Sequence, residues 1–182
     1  MNNQQMLEKL MSNEVIANLL DEKEPKFTYY LPKPRLLVGG AIIDILEDRK
    51  PKDYDILNQS ASMQTLIKEG FRFVRKTNTA TTYKFNTEKS KDNVLQVLHA
   101  IDSSEFDFTI SQTSLSLVKN PVLTIDETAF NEKILIPVGF DKDLAINSLK
   151  RIPHWKNKGY QLDDISYLSL LGCINPKFGG AS

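Results

Sequence analysis

The sequence predicts an α+β domain, built from one mixed, mainly antiparallel sheet with helices at both ends of the chain. Apolar residues recur at helical spacing near both termini, and β-branched and aromatic residues dominate from Phe71 to Ile136. A strand–turn–helix pattern surrounds Gly39-Gly40. The length of 182 residues, with 41% hydrophobic and 25% charged, suits one domain, or one domain plus a small helical extension, and excludes a disordered chain.

The first 25 residues predict a helical segment. Its apolar residues fall near a spacing of about 3.6 residues, with Ser12-Asn13 as a candidate interruption. Two interpretations stay open for this segment: the helix packs on the domain, or it meets a partner protein. The apolar positions are Met6, Leu7, Leu10, Met11, Val15, Ile16, Leu19 and Leu20.

The central region, residues 26–139, predicts the sheet. Residues 35–38 form a short strand, Gly39-Gly40 a turn, and Ala41–Glu47 a helix. Asp53–Leu57 predicts the next strand, and a helix follows from Ser60 to about Glu69. Further strands are expected at Phe71–Phe73, Thr81–Tyr83, Val94–Ile101, Phe106–Ile110 and Ile134–Ile136.

Residues 140–182 predict a C-terminal helical extension. Leu144, Ile146 and Leu149 begin a helical pattern near Asp141, and a second one runs from Tyr160 to Cys173. Because proline lacks an N–H group and clashes with the preceding turn, Pro153 is expected to break or kink the first of these helices.

Composition excludes several classes of protein. Lys plus Arg and Asp plus Glu both total 23, so the net charge is zero, which excludes a strongly basic nucleic-acid coat but not a local basic groove. The single cysteine, Cys173, excludes an internal disulfide. No signal-peptide pattern and no apolar run of the roughly 20 residues that a membrane span needs is present. We therefore expect a cytoplasmic protein without a membrane partner.

The stretch from Gly39 to Asp55 carries the residues that predict chemistry. Glycines at the turn let backbone N–H groups approach a ligand closely, and the start of the following helix favours a phosphate. Asp53 and Asp55 stand two residues apart on a strand, so their carboxylates project from one face. Such a pair repels itself unless cations lie between the acids, and Mg²⁺ prefers oxygen ligands together with phosphates and water.

The same stretch resembles a known family over a longer gapped pattern. That family is the template-independent nucleotidyltransferases of the DNA polymerase β superfamily, in particular the head domain of tRNA CCA-adding enzymes and bacterial poly(A) polymerases. Its signature is Gly-Gly-x-Val-Arg-Asp, two leucines, Gly-Arg, x-Pro and Asp-x-Asp-(Ile/Leu). The matching residues are Gly39, Gly40, Asp44, Leu46, Arg49, Pro51, Asp53, Asp55 and Ile56, with Ile42 as a conservative match.

Weaker similarity continues downstream of this pattern. Asp107–Ile110 resembles the family's Asp-Phe-Thr-Ile strand, residues 124–135 resemble its next hairpin, and residues 149–162 resemble the start of its helical neck. The resemblance therefore implies a nucleotidyltransferase-like fold with a short helical neck.

The resemblance also implies an activity and a set of site residues. The activity is transfer of a nucleoside monophosphate from an NTP to a hydroxyl acceptor on RNA, protein or a small molecule, with two Mg²⁺ ions as cofactors. Asp53 and Asp55 would be the metal ligands and catalytic residues, with Asp107 as the third acid. The candidate nucleotide-binding residues are Gly39, Gly40, Arg49, Lys52 and Lys150.

Departures from the family pattern motivate an alternative. Ile43 replaces the family's arginine, Asp48 its glycine, and Glu105-Phe106 the arginines before Asp-Phe-Thr. Gln96 stands on the strand that usually carries a third acid, and Pro153 at a neck arginine. Because the family's tRNA-binding body and tail are not recognisable, authentic CCA addition is not expected. The alternative is an inactive nucleotidyltransferase-fold module with a structural or binding role in a larger assembly, for example a viral one.

Two further groups of charged residues have open interpretations. Asp44 is expected to hydrogen-bond the backbone or Arg49 rather than a metal. A basic cluster on the C-terminal helix is either a solvated helix face or a contact to a triphosphate or an RNA acceptor. Its members are Lys150, Arg151, Lys156 and Lys158.

Overall fold

The computed structural model describes residues 1–20, 36–57, 67, 70–99, 107–175 and 177. The chain divides into two compact units. One comprises Asn2–Ile101 with Thr113–Thr124, and the other comprises Met1, Asp102–Gln112 and Ile125–Ser182. Boundaries after residues 25 and 139 stay predictions, and the helix expected from Ser60 to Glu69 lies almost wholly outside the described residues.

The first unit contains a seven-stranded sheet with the order β3-β4-β5-β2-β1-β6-β7. Strands β2 and β5 are parallel, and the other described pairs are antiparallel, which confirms the predicted mixed sheet flanked by helices. The strands are β1 (Leu36–Val38), β2 (Tyr54–Leu57), β3 (Arg72–Lys76), β4 (Ala80–Phe85), β5 (Asn93–Leu98), β6 (Ser114–Ser116) and β7 (Leu123–Thr124).

The register of three central strands fixes the position of the acidic residues. Val38 on β1 lies opposite Asp55 on β2, and Asp55 lies opposite Gln96 on β5. Tyr54 and Ile56 are buried, whereas Asp53, Asp55 and Leu57 are half-buried. Because side chains alternate along a strand, the two acids share one face, as the spacing predicts.

Two short helices at the N-terminus pack on this unit. Helix α1 (Asn3–Met11) begins at a capping box formed by Asn2 and Gln5, and Asn13 caps α2 (Glu14–Leu19). Their separation at residues 12–13 confirms the predicted interruption. The apolar face of α1 is buried, and α1 packs against α3 (Gly40–Leu46). The interpretation that the helix packs on the domain is therefore confirmed, and a partner protein for it has no support.

The second unit is mainly helical. It contains a 3-10 helix (Thr109–Gln112) and helices α4 (Glu127–Glu132), α5 (Lys142–Lys156) and α6 (Asp164–Ile174). The strand predicted at Phe106–Ile110 is wrong within its described part, because Phe108 makes only a single bridge, to Pro137, before the 3-10 helix begins. The strand predicted at Ile134–Ile136 is likewise one bridge, from Ile134 to Gln161.

Pro153 does not break helix α5, so the predicted break is wrong, whereas the predicted kink stays a prediction. The helix continues three residues beyond Pro153 to Lys156, and the Pro153 carbonyl still accepts a hydrogen bond from the Asn157 N–H at 3.1 Å. Because Pro153 lies in the last turn of α5 and has no N–H group, one backbone hydrogen bond is lost there and the earlier turns of the helix are kept. Among the described residues, no helix has the length and apolar character needed to cross a lipid bilayer.

Packing of α1 generates a stability prediction. Leu10 on α1 is fully buried, so Leu10→Ala is expected to lower the free energy of unfolding by about 2–5 kcal/mol through lost burial and a residual cavity. Chemical denaturation with guanidinium chloride measures this change. The matched control is Val122→Ala, because Val122 is 63% exposed and its truncation should change stability by less than about 0.5 kcal/mol. Equal effects of the two substitutions would contradict the packing of α1.

Burial of Tyr54 generates a pH prediction. Burial raises the pKa of Tyr54 from 10.0 to about 12, so the folded chain retains the phenol proton that the unfolded chain loses. The stability from this group is complete below pH ~10 and falls as pH rises from ~10 to ~12, by up to about 3 kcal/mol. Urea unfolding on either side of pH ~10 measures the fall. Tyr54→Phe should flatten it, and an unchanged pH dependence in that variant would contradict the assignment.

Candidate active site

The turn after β1 depends on a glycine whose backbone no other residue adopts readily. Gly39 has φ 79° and ψ −152° and is the N-cap of α3. A β-carbon at this position would lie 3.6 Å from the Asp55 Oδ2 atom. Gly39, which together with Gly40 we call the glycine turn, therefore lies close to one of the two predicted metal ligands.

The second acid is held by a neutral donor. Asp53 precedes β2, and its Oδ2 atom accepts a hydrogen bond of 3.0 Å from the Gln96 Nε2 atom on the neighbouring strand β5. An amide donor orients the carboxylate without neutralising its charge. Gln96 thus occupies the place where the resemblance implies a third acid, and it orients Asp53 instead of adding a further negative charge.

Helix α3 begins at the glycine turn, close to Asp55. The N–H groups of a first turn have no acceptor within the helix, and no side-chain cap bond to a described residue forms at Gly39. The Gly39 N–H itself is used, since it donates to the Thr113 carbonyl at 3.4 Å. Buried Ala41, Ile42 and Ile43 anchor the helix in the core.

The far end of α3 is closed by an ion-pair cluster. The Asp44 Oδ1 atom accepts 3.0 Å bonds from Nε and Nη2 of Arg49, and Arg49 also pairs with Glu47. The Arg49 N–H donates to the Asp44 carbonyl at 2.7 Å. The expected bond between Asp44 and Arg49 is therefore present. A role of Arg49 in nucleotide binding stays a prediction, and so does that of Lys52, which is exposed.

The acid pair, Asp53 and Asp55, fits a hard divalent cation such as Mg²⁺. Two half-buried carboxylates from one strand face, one of them close to Gly39, provide the oxygen donors that such a cation prefers. Among the described residues, no group of three or more His, Cys, Asp or Glu side chains is placed to hold a metal. The two-ion arrangement is thus a prediction.

Asp107, the predicted third acid, lies in the second unit with its side chain fully buried. Its Oδ1 atom accepts hydrogen bonds from the Phe108 N–H at 2.9 Å and from the Ser111 hydroxyl, and its Oδ2 atom accepts one from Arg151 Nε at 3.1 Å. Metal binding by Asp107 stays a prediction. The partner Arg151 is 44 residues away in sequence, so no local pattern could have identified it. Lys150 beside it is exposed.

The chain is similar to known proteins in its three-dimensional structure. The sequence matches no protein-family model and no curated protein. A CCA-adding enzyme of Thermotoga maritima complexed with tRNA is similar to this chain with a TM-score of 0.67 and 14% identity, over 98% of this chain and 46% of the enzyme.

Two further solved structures are similar. A CCA-adding enzyme in complex with ATP gives a TM-score of 0.65 at 17% identity, over 92% of this chain and 44% of its own. A tRNA-processing enzyme complex gives 0.57 at 15% identity, over 79% and 44%. The chain spans less than half the length of these proteins. At such identities the similarity establishes the fold, and the chain has the nucleotidyltransferase-like fold that the pattern from Gly39 to Ile56 predicts.

Proposed function

We propose that this protein is a nucleotidyltransferase that moves a nucleoside monophosphate from an NTP to a hydroxyl acceptor. The observation that carries the proposal is that two acids share one strand face, with Asp55 Oδ2 close to Gly39 and Asp53 held by Gln96. Structural neighbours complexed with CTP and with ATP support an NTP as the substrate.

The residues of the first unit would act mainly by positioning. The acceptor oxygen forms a bond to the α-phosphorus, the bond from that phosphorus to the bridging oxygen breaks, and pyrophosphate leaves. Two bound Mg²⁺ ions would supply neutralisation of phosphate charge and activation of the acceptor hydroxyl. Asp53 and Asp55 would hold these ions, and the glycine turn would let backbone N–H groups approach the phosphates.

An RNA hydroxyl is the acceptor that we propose first. Its support is the neighbour complexed with tRNA, which is similar to 98% of this chain. Arg49, Lys52 and Lys150 are the proposed cationic contacts to phosphate, and Asp107 stays the proposed third acid. A protein or small-molecule acceptor is distinguished from RNA by which added acceptor becomes labelled.

The second candidate function is an inactive module that keeps the fold for binding or assembly. Two observations favour it. Ile43 stands at the position of the family's arginine and is fully buried in α3, so this position supplies no positive charge. In addition, the Arg49 guanidinium is paired with both Asp44 and Glu47.

Substitution of the acid pair tests the proposed activity. Asp53→Asn and Asp55→Asn should each lower transfer of label from [α-³²P]NTP to an RNA acceptor by at least about 100-fold, because each removes a charged metal ligand while keeping the shape of the side chain. Thermal unfolding should show that both variants remain folded.

The matched control for this test is Asp92→Asn. Asp92 is an exposed acid in the same unit, and its left-handed backbone, with φ 55°, suits asparagine. This variant should transfer label as well as the wild type. Transfer by Asp53→Asn at the wild-type rate would show that the site is misassigned. Absence of transfer to RNA, protein and small-molecule acceptors by the wild-type protein would favour the inactive module.

The glycine turn provides an independent test of the site geometry. Gly39→Ala should lower the free energy of unfolding by about 1–3 kcal/mol, because alanine is strained at the backbone angles of Gly39. Gly40 does not have a positive φ, so Gly40→Ala, at the first position of α3, should leave stability unchanged or raise it. Urea denaturation measures both variants, and equal stability of the two would contradict the described turn.

A further inference from the structure

We infer that Arg151 is a phosphate-binding residue whose guanidinium is oriented by the buried carboxylate of Asp107. The phosphate belongs either to the bound NTP or to the RNA acceptor. This inference rests on the proposed function, which makes both molecules ligands of the protein. Arg151 and Asp107 belong to the second unit and are separate from the acid pair in sequence.

Several contacts fix the position of the Asp107 carboxylate. Its side chain is fully buried, and the Phe108 N–H and the Ser111 hydroxyl both donate to Oδ1. The Ser148 hydroxyl on α5 donates to the Asp107 carbonyl at 3.3 Å, which ties the same residue to that helix. A carboxylate with these contacts has a fixed position and accepts further hydrogen bonds only at Oδ2.

The Asp107 carboxylate contacts one part of the Arg151 guanidinium. Oδ2 accepts from Nε alone, at 3.1 Å. Within the described part of the chain, the Nη1 and Nη2 atoms donate to no residue, and 34% of the Arg151 side chain is exposed. Asp107 therefore holds the guanidinium through Nε and leaves the edge formed by Nη1 and Nη2 without a described partner. That edge is the arrangement that binds two phosphate oxygens at once, and its orientation is already fixed before a ligand arrives.

The sequence on both sides of Arg151 is positively charged. From Leu144 to Leu162 the sequence contains the four cations of the basic cluster and no Asp or Glu. Asn147, Arg151 and His154 follow each other at helical spacing, so these hydrogen-bonding side chains share one side of α5, and Lys158 lies beyond the end of the helix. An anion is the ligand that such a surface attracts, and a phosphate matches both its charge and the paired donors of Arg151.

A purely structural role for the pair is the competing explanation, and it makes a different prediction. A structural bridge between the 3-10 helix and α5 would need only the bond from Nε. Its loss would lower stability without a selective effect on any phosphate ligand. In this inference Asp107 acts on the phosphate through Arg151 and is a positioning residue, a role separate from that of the proposed third acid. The experiment must compare ligand binding among variants that are folded.

Binding measurements with three probes test the inference. Isothermal titration calorimetry would follow inorganic triphosphate, ATP with Mg²⁺, and a single-stranded RNA oligonucleotide. In Arg151→Lys, which keeps the charge near Asp107 but loses the two-nitrogen edge, affinity for the relevant probe should fall about 10-fold. In the double variant Arg151→Gln with Asp107→Asn, which leaves no buried carboxylate unpaired, it should fall about 10- to 100-fold.

Two controls separate phosphate binding from stability. Lys142→Gln removes an exposed cation at the start of the same helix, outside the basic cluster, and should weaken binding by no more than about 2-fold. Asp107→Asn keeps an oxygen acceptor for Arg151 Nε, so binding should weaken by less than in the double variant. Weaker binding of triphosphate and ATP, with RNA binding unchanged, identifies the nucleotide as the source of the phosphate, and the reverse identifies the acceptor.

The outcomes also separate this inference from the proposed function. Unchanged affinity for all three probes in folded Arg151 variants would overturn the inference, and transfer of label by the wild-type protein would leave the proposed function intact. Binding that depends on Arg151 in a protein that transfers no label would support the inference and contradict the proposed transfer activity. A wild-type protein that binds none of the probes would overturn the inference.

Discussion

The candidate site depends on the register of β2 between its two neighbours. Asp55 lies between Val38 on β1 and Gln96 on β5, and this alignment places its carboxylate against Gly39. A slip of one residue would turn both acids to the opposite face of the sheet. The buried side chains of Tyr54 and Ile56 oppose such a slip, because it would exchange them with the half-buried acids. Packing of the core on one face thus determines where the charges lie on the other.

The short-range features of this site could be predicted from the sequence because they depend on local backbone geometry. Alternation along a strand depends only on backbone geometry, so the spacing of Asp53 and Asp55 was sufficient to place them on one face. The conformation of Gly39 is likewise a local property of a tight turn. The bond from Arg49 to Asp44 spans five residues at the end of one helix, within reach of local reasoning.

Predictions failed where side chains compete with the backbone or where contacts are distant. Phe108 and Thr109 look strand-forming, but the Asp107 carboxylate takes the Phe108 N–H, and the Ser111 N–H donates to the Phe108 carbonyl, which favours a 3-10 turn over a strand. The sequence pattern could not show that bond, nor the pairing of Asp107 with Arg151. The predicted break at Pro153 failed because this proline stands in the last turn of α5, where it removes one backbone hydrogen bond without ending the helix.

The two charged centres use opposite partners, and the difference matters for ligand binding. Asp53 is oriented by the neutral amide of Gln96, a partner that brings no positive charge to the proposed cation site. Arg151 is oriented by an acid, so its local charge is partly offset, and the other cations of the basic cluster are the proposed attraction for an anion. Geometry is therefore the main contribution of Asp107, whereas charge is the main contribution of Asp53 and Asp55. Conservative substitutions should reveal this contrast, because asparagine preserves the hydrogen-bonding geometry of an aspartate but removes its charge.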